Sequence, residues 1–116
     1  MKTALQSAPS RYAAEPVVLR LIIIGAALAD LERVVDVLRE RQSQHAGATL
    51  PLVMDGLRIL QAHPDAGRPA DNGMRELMIS RGRTGYVALY VFDEISDEVR
   101  VLGVRHQREA GYGLAP

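Results

Sequence analysis

The hydrophobic pattern changes to a period of two residues in the second half of the chain, and this change constrains the fold most. Three strand-like runs follow one another, at Arg75–Ser80, Tyr86–Phe92 and Val99–Val104. The connections between them, RGRTG at 81–85 and DEISDE at 93–98, are short. Strands joined by such short turns pair as antiparallel neighbours. The sequence therefore predicts a three-stranded antiparallel meander.

Two amphipathic helices are predicted ahead of the meander. Apolar residues recur at helical spacing from Ala26 to about Gln44, and a second set runs from Leu50 to Leu60. His63-Pro64 ends the second helix, because the residue before a proline is pushed out of the α region. The glycine-containing segment HAGAT at 45–49 joins the two as a helical hairpin.

The remaining segments complete the predicted fold. Val17–Ile24 is a short β-branched run that predicts a strand, and Pro64–Gly73 is dense in loop-forming residues. Residues 1–16 are expected to form a mobile N-terminal arm, and residues 17–116 a single domain. The prediction is an α+β fold, with an N-terminal strand and a helical hairpin packed on a three- to four-stranded antiparallel sheet.

The middle strand of the meander is apolar on both of its faces. Val87, Leu89 and Val91 alternate with Tyr86, Ala88, Tyr90 and Phe92. Since helices can cover one face of such a sheet, the other face is available to a partner. Tyr90 is counted among the candidate contact residues.

Composition and charge exclude several classes of function. The chain has no cysteine, which removes thiol catalysis and cysteine metal sites, and its 14 basic and 14 acidic residues cancel. The apolar run Val17–Ala29 is shorter than the roughly 20 residues of a membrane helix and contains Arg20. We expect a cytoplasmic protein without a membrane partner. Three scattered histidines and the absence of a glycine-rich phosphate loop predict neither a metal site nor a cofactor.

Arginine accumulates in the sheet region. Residues 67–116 contain seven arginines and seven acids, but four of the acids lie at 93–98, so the rest carries seven arginines against three acids. Guanidinium groups suit forked recognition of phosphate or carboxylate, although they also solubilise exposed sheets. The candidate residues for binding a target or partner are Arg68, Arg75, Arg81, Arg83, Arg105 and Tyr90.

The stretch VRHQREAGY, residues 104–112, carries the candidate catalytic groups. A metal-free ribonuclease needs a base, a cation and an acid, and His106, Arg75 or Arg108, and Tyr112 have suitable chemistry. The alternative is a histidine that hydrogen-bonds to backbone at a strand end, with the tyrosine packed along the tail.

Four segments carry a resemblance to a known family. They are ALADLERVVDVL, LRILQAHPDAGRP, RELMISRGRTGYVALYVFD and VRVLGVRHQREAGY. In this order they resemble the RelE/ParE superfamily of toxins from type II toxin-antitoxin modules, often labelled plasmid stabilisation proteins, over about residues 18–112. The resemblance implies a small bacterial protein with a helical hairpin on an antiparallel sheet, neutralised by a cognate antitoxin that wraps around it.

The superfamily includes two activities. RelE-like members cleave mRNA on the ribosome, whereas ParE-like members inhibit DNA gyrase without being nucleases. For a RelE-like nuclease, the resemblance implies catalytic lysines in the first meander strand and a catalytic arginine directly after the Gly-Tyr of the middle strand. Here the first strand, Arg75–Ile79, has no lysine, and Val87 follows Gly85-Tyr86.

The favoured hypothesis is therefore a ParE-like, non-enzymatic inhibitor of DNA gyrase. The first alternative is a RelE-like mRNA endonuclease (an mRNA interferase) that acts on the ribosome with His106, Arg108, Tyr112 and Arg75. The second is a degenerate module that binds an antitoxin without toxicity. The sequence leaves open whether the chain forms a homodimer.

Overall fold

In the part of the chain that the structure describes, the sheet has five strands, in the order β1-β5-β4-β3-β2, and two helices pack on one of its faces. The computed structural model describes residues 19–41, 44, 46–81 and 84–109, without the side chains of residues 46, 80, 81 and 84. The predicted arm at residues 1–16 lies outside the described residues. The strands are β1 (Arg20–Ile23), β2 (Arg68–Pro69), β3 (Arg75–Arg81), β4 (Thr84–Asp93) and β5 (Glu98–His106). The helices are α1 (Gly25–Glu40) and α2 (Ala46–Arg58), and short 3-10 helices follow at Ile59–Gln61 and Asp71–Gly73.

The predicted meander is β3, β4 and β5. Each strand pairs antiparallel with the next, and the register pairs Met78 with Val87 and Val87 with Arg105. A bulge between Leu89 and Tyr90 shifts the pairing of β4 with β5 by one residue. The meander strands extend one or two residues beyond the predicted ends, because the ladder hydrogen bonds continue into the turns.

The sheet is mixed, whereas the sequence predicted an antiparallel one of three to four strands. β1 pairs parallel with β5 through residues 98–101. β2 adds a fifth strand within the segment that was predicted to be loop, where Arg68 pairs with Glu76. A strand of two residues has no periodicity of its own and depends on its neighbour. The α+β class itself is confirmed.

The core lies between the helices and the sheet. It comprises Leu19, Ala27, Leu31, Val34, Val53, Leu57, Leu60, Ile79, Tyr86, Ala88, Tyr90, Val99, Val101 and Val104. In β4 these are the alternate residues Tyr86, Ala88 and Tyr90, so the helices cover this face. Gly56 lets α2 approach β3, since a Cβ at this position would lie 2.9 Å from the side chain of Ile79.

The helix bounds differ from the predicted ones. α1 ends at Glu40 instead of near Gln44, and the amide of Arg41 closes its last turn on the carbonyl of Val37 at 3.1 Å. α2 starts at Ala46, four residues before the predicted start, so the glycine at position 47 lies inside the helix. Pro51 lies inside α2 and lacks the amide that would bond to Gly47. No helix among the described residues is long and apolar enough to span a membrane.

Candidate functional site

A cleft opens between the second half of α1 and the ends of β4 and β5, with a volume of about 440 Å³. We call it the helix-sheet cleft. Its apolar lining consists of Val34, Val37, Leu38 and Tyr86. Its polar lining consists of Arg33, Arg41, His106, Arg108 and Glu109. Among the described residues, three guanidinium groups thus meet one carboxylate around an apolar floor.

His106 is the last residue of β5 and borders the cleft. Its ring meets that of Tyr86 edge-on, with centroids 5.4 Å apart and planes at 82°. The backbone amide of Arg108 donates to Nδ1 at 3.1 Å. Because Nδ1 accepts this bond, the neutral ring carries its proton on Nε2. In this arrangement His106 offers a ligand a hydrogen-bond donor and not a free base.

Two carboxylates close the edge of β5 beyond the end of β1. Oδ2 of the buried Asp30 accepts the amide of Val104 at 3.0 Å, and Oε1 of Glu109 accepts the amide of His106 at 2.7 Å. Arg33 joins them, since Nη1 lies 2.6 Å from Oε2 of Glu109 and Nη2 lies 3.6 Å from Oδ1 of Asp30. We call Asp30, Arg33 and Glu109 the carboxylate clamp. The clamp occupies amides that an added strand would otherwise use.

Arg75 lies at the opposite end of the sheet from His106. Arg75 pairs with Tyr90, and His106 pairs with Tyr86, four residues away along β4. At about 3.4 Å per residue this separates them by roughly 14 Å along the strand. Arg75 Nη1 donates instead to the carbonyl of Gly67 at 2.7 Å. The structure therefore does not bring Arg75 and His106 together as one catalytic set.

Tyr90 belongs to the core and not to a binding surface. Its side chain is 0% exposed, and its hydroxyl donates to the carbonyl of Pro64 and accepts the amide of Gly67, both at 2.8 Å. Burial raises the pKa of Tyr90. Gly67 permits this approach, because a Cβ there would lie 2.7 Å from the tyrosine ring and from the carbonyl oxygen of Glu76. Tyr90 thus anchors the loop before β2, and the expectation that it contacts a partner is wrong for this structure.

The face of the sheet opposite the helices carries a second group of residues. By register and alternation, Glu76 and Met78 of β3, Val87 and Leu89 of β4, and Arg105 of β5 share it. We call this group the open sheet face. Met78 is 44% exposed, while Val87 and Leu89 beside it are buried. The face therefore has an apolar centre with one accessible methionine.

The charged residues of the open sheet face pair with each other. Oε1 of Glu76 lies 3.2 Å from Nη2 of Arg68, and Oε2 lies 4.0 Å from Nη2 of Arg105. Nη1 of Arg105 donates to the carbonyls of His106, Gln107 and Glu109 at 3.0 to 3.3 Å. Arg105 is thus held by backbone oxygens and a carboxylate.

The other predicted site residues are placed as follows. Arg108 lies on the helix-sheet cleft beside His106. Arg81 is the last residue of β3, where it pairs with Thr84 through the backbone, and its side chain is not described. Arg83 and Tyr112 lie outside the described residues.

Comparison with known proteins decides the family. The sequence profile of the ParE toxin of type II toxin-antitoxin systems (parDE) matches residues 21–111. The chain belongs to the ParE toxin family. The match covers nearly the whole described chain and confirms the resemblance to the RelE/ParE superfamily. No curated protein sequence is significantly similar to the chain.

A solved structure has the same fold as this ParE-family chain. It is the toxin-antitoxin complex RelBE2 from Mycobacterium tuberculosis, with 24% sequence identity and a TM-score of 0.54. The similarity covers 82% of this chain and 98% of that chain. The two helices on a sheet are thus the arrangement of a toxin fold that is known from experiment.

Sequence reasoning missed four residues of this ParE-family site, namely Asp30, Arg33, Arg41 and Glu109. The first three lie on α1 or at its end, where charges normally face solvent. One feature of the sequence could have identified Asp30: it lies next to Leu31 on the apolar side of the helical pattern, where a charged residue is unexpected. A carboxylate at such a position is buried only if it is hydrogen-bonded, as Asp30 is to Val104.

Proposed function

We propose that this ParE-family toxin inhibits DNA gyrase by binding it, without cleaving nucleic acid, and that a cognate antitoxin neutralises it. The observation that carries the proposal is the composition of the open sheet face. Glu76, Met78 and Val87 lie together there, at the positions where the resemblance to nucleases implies cations. The ParE family label supports the same branch.

The charge of this face disfavours phosphodiester chemistry. A nuclease must stabilise the negative charge that develops on the phosphate, and removing one such donor costs about 10²–10³ in rate in other enzymes. Glu76 adds a negative charge, and Met78 and Val87 supply no donor. Arg105 is already held by Glu76 and by three carbonyls.

The same face suits contact with a protein. Met78 projects from a centre formed with Val87 and Leu89, and charged residues surround it. Apolar centres with polar rims are typical of protein interfaces. We therefore assign the gyrase contact to the open sheet face around Met78.

Assays with purified components test this function. The toxin should inhibit supercoiling by gyrase and raise the amount of gyrase-DNA cleavage complex. Primer extension on mRNA after toxin induction should show no new cuts. Full gyrase activity at saturating toxin would refute the proposal.

Antitoxin neutralisation has its own support and its own assay. The structural neighbour is a toxin-antitoxin complex, and the family is defined by two-component systems. Adding the antitoxin encoded beside this chain should restore supercoiling at a stoichiometric ratio. Restoration is measured against a sample that receives an unrelated protein of equal charge.

A ribosome-dependent endonuclease is the second candidate, because the structure places His106 and Arg108 on one cleft. In that case induction would give mRNA cuts that disappear in His106→Ala. His63→Ala is the matched control, since His63 is exposed at the far end of the helical region. Cuts that persist in both variants would exclude a role for His106.

A further inference from the structure

The four methionines of the chain differ in how far solvent reaches them. Met78 is 44% exposed on the open sheet face. Met54 and Met74 are half-buried, and Met54 packs against the core. Met1 lies outside the described residues. Of the methionines that the structure describes, Met78 is therefore the one that a dissolved reagent reaches most readily.

The surroundings of Met78 make its sulfur important for binding. Met78 pairs with Val87 across the β3-β4 ladder, and Val87 and the neighbouring Leu89 are buried. The thioether thus lies at the apolar centre that is assigned above to the gyrase contact. Its side chain stands on the sheet face opposite the helices, while its backbone is held in the ladder. A chemical change confined to the sulfur therefore alters the contact surface and leaves the core packing in place.

We propose that Met78 is an oxidation site through which peroxide weakens the toxin's contact with gyrase. The proposal rests on the gyrase contact proposed above. A sulfur lone pair of Met78 attacks one oxygen of hydrogen peroxide, so that an S–O bond forms and the O–O bond breaks. The sulfur is oxidised by two electrons to the sulfoxide, and the second peroxide oxygen leaves as water after proton transfer. A dithiol reverses the change, because it takes up the oxygen as water and becomes a disulfide.

The sulfoxide opposes binding because it is polar. In the free toxin, water hydrates the new S=O group on the exposed side chain. In the complex, this oxygen would be pressed against gyrase over Val87 and Leu89, where it would lose its water. An acceptor that is buried without a donor weakens association, whereas the flexible, polarisable thioether adapts to an apolar partner surface. The oxidised toxin therefore binds gyrase less tightly than the reduced toxin does.

Peroxide treatment of the full-length toxin tests the proposal. Catalase removes the peroxide before gyrase is added, so gyrase itself is never exposed to the oxidant. Peptide mass spectrometry should show that Met78 is oxidised before Met54 and Met74. The toxin concentration for half-inhibition of supercoiling should rise about fivefold or more as the Met78 sulfoxide accumulates. Incubation with methionine sulfoxide reductases and dithiothreitol should return it to the untreated value.

Two variants assign the effect to one residue. Met78→Leu cannot form a sulfoxide at this position, so peroxide should leave its half-inhibition concentration unchanged. Met74→Leu is the matched control, which retains Met78 and should lose inhibition as wild type does. Each variant is compared with its own untreated sample, because leucine at position 78 itself alters the contact surface. Circular dichroism and the melting temperature check that the treated proteins remain folded.

The outcomes separate this control from the proposed function. If untreated toxin does not inhibit gyrase, the proposed function fails and the control by Met78 fails with it. If untreated toxin inhibits and oxidation of Met78 leaves inhibition unchanged, only the control by Met78 is overturned. The same holds if Met78 stays reduced while Met54 or Met74 is oxidised, or if peroxide inactivates Met78→Leu as it does wild type. A loss of inhibition that coincides with unfolding would assign the effect to the core-packed Met54 and overturn the proposal.

Discussion

The carboxylate of Asp30 in α1 accepts the backbone amide of Val104 in β5 at 3.0 Å, across 74 residues of sequence. Both residues are buried, and Asp30 is also 3.6 Å from Arg33. This contact ties the helix to the strand just where β1 stops covering the edge of β5. It thereby holds α1 against β5, and residues of both elements line the helix-sheet cleft.

Asp30→Ala is expected to destabilise the protein. The amide of Val104 would lose its acceptor inside the core, and an unsatisfied buried group costs about 1–3 kcal/mol. Asp30→Asn keeps an acceptor oxygen and should cost less. Urea unfolding measures both. Asp36→Ala, an exposed carboxylate on the same helix, is the control and should change stability by less than about 0.5 kcal/mol. Equal midpoints for Asp30→Ala and Asp36→Ala would contradict the role given to Asp30.

Tyr90→Phe is expected to loosen the loop before β2. The substitution removes the hydroxyl that bonds to both Pro64 and Gly67, and leaves the buried amide of Gly67 unpaired. We expect a loss of about 1–3 kcal/mol in the free energy of unfolding. Tyr86→Phe is the control, since no hydrogen bond of its hydroxyl occurs in the described part of the chain. Hydrogen exchange at Gly67 should rise in Tyr90→Phe and not in Tyr86→Phe.

The turn between β4 and β5 should make stability depend on pH through Asp93. Hydrogen bonds from Ser96, followed by the one from Arg100, lower the pKa of Asp93 below its ordinary 3.8. A carboxyl with a lowered pKa contributes stability that is fully present above the unfolded-state value and is lost as pH falls through the folded-state value. Asp93→Asn should therefore lower the melting temperature at pH 7, and the difference from wild type should vanish in strong acid.

Arg100 contributes part of this pH dependence, because its Nη2 lies 2.8 Å from Oδ2 of Asp93. In an Arg100→Gln background, Asp93→Asn should lower the melting temperature at pH 7 by less than it does in wild type. A difference that stays constant between neutral and acidic pH would rule out the ionised carboxylate as the cause.

The sequence predicted the meander and the helical hairpin because both have strong periodicity. Met78 and Val87 could be placed on neighbouring strands from alternation alone, whereas Arg105 lies one residue beyond the predicted end of the last strand. The face that the three residues share follows from the register. The parallel pairing of β1 with β5 could not be predicted, since Arg20 and Glu98 are 78 residues apart and nothing local specifies the partner. β2 was missed because a strand of two residues has no periodicity of its own.

The candidate site was harder to predict than the fold. His106 and Arg108 were identified because the short stretch at the end of the last strand concentrates side chains that can act as acids, bases or phosphate ligands. Arg33 and Arg41 were not identified, because a charged residue on the outer side of a helix normally faces water. They border the cleft only because α1 crosses over the end of β5. Tyr90 was counted as a contact residue because alternation shows which residues of β4 share a face but does not show which of the two faces the helices cover.

Met78→Glu tests the proposed gyrase contact most directly. Met78 is the accessible residue at the apolar centre of the open sheet face, so a carboxylate there would have to be desolvated against gyrase. We expect the toxin concentration for half-inhibition of supercoiling to rise about tenfold or more, which corresponds to ~1.4 kcal/mol of binding free energy. Ile95→Glu is the matched control, because Ile95 is 96% exposed in the turn between β4 and β5, away from this centre. If Met78→Glu inhibits gyrase as well as Ile95→Glu does, the open sheet face is not the surface that contacts gyrase.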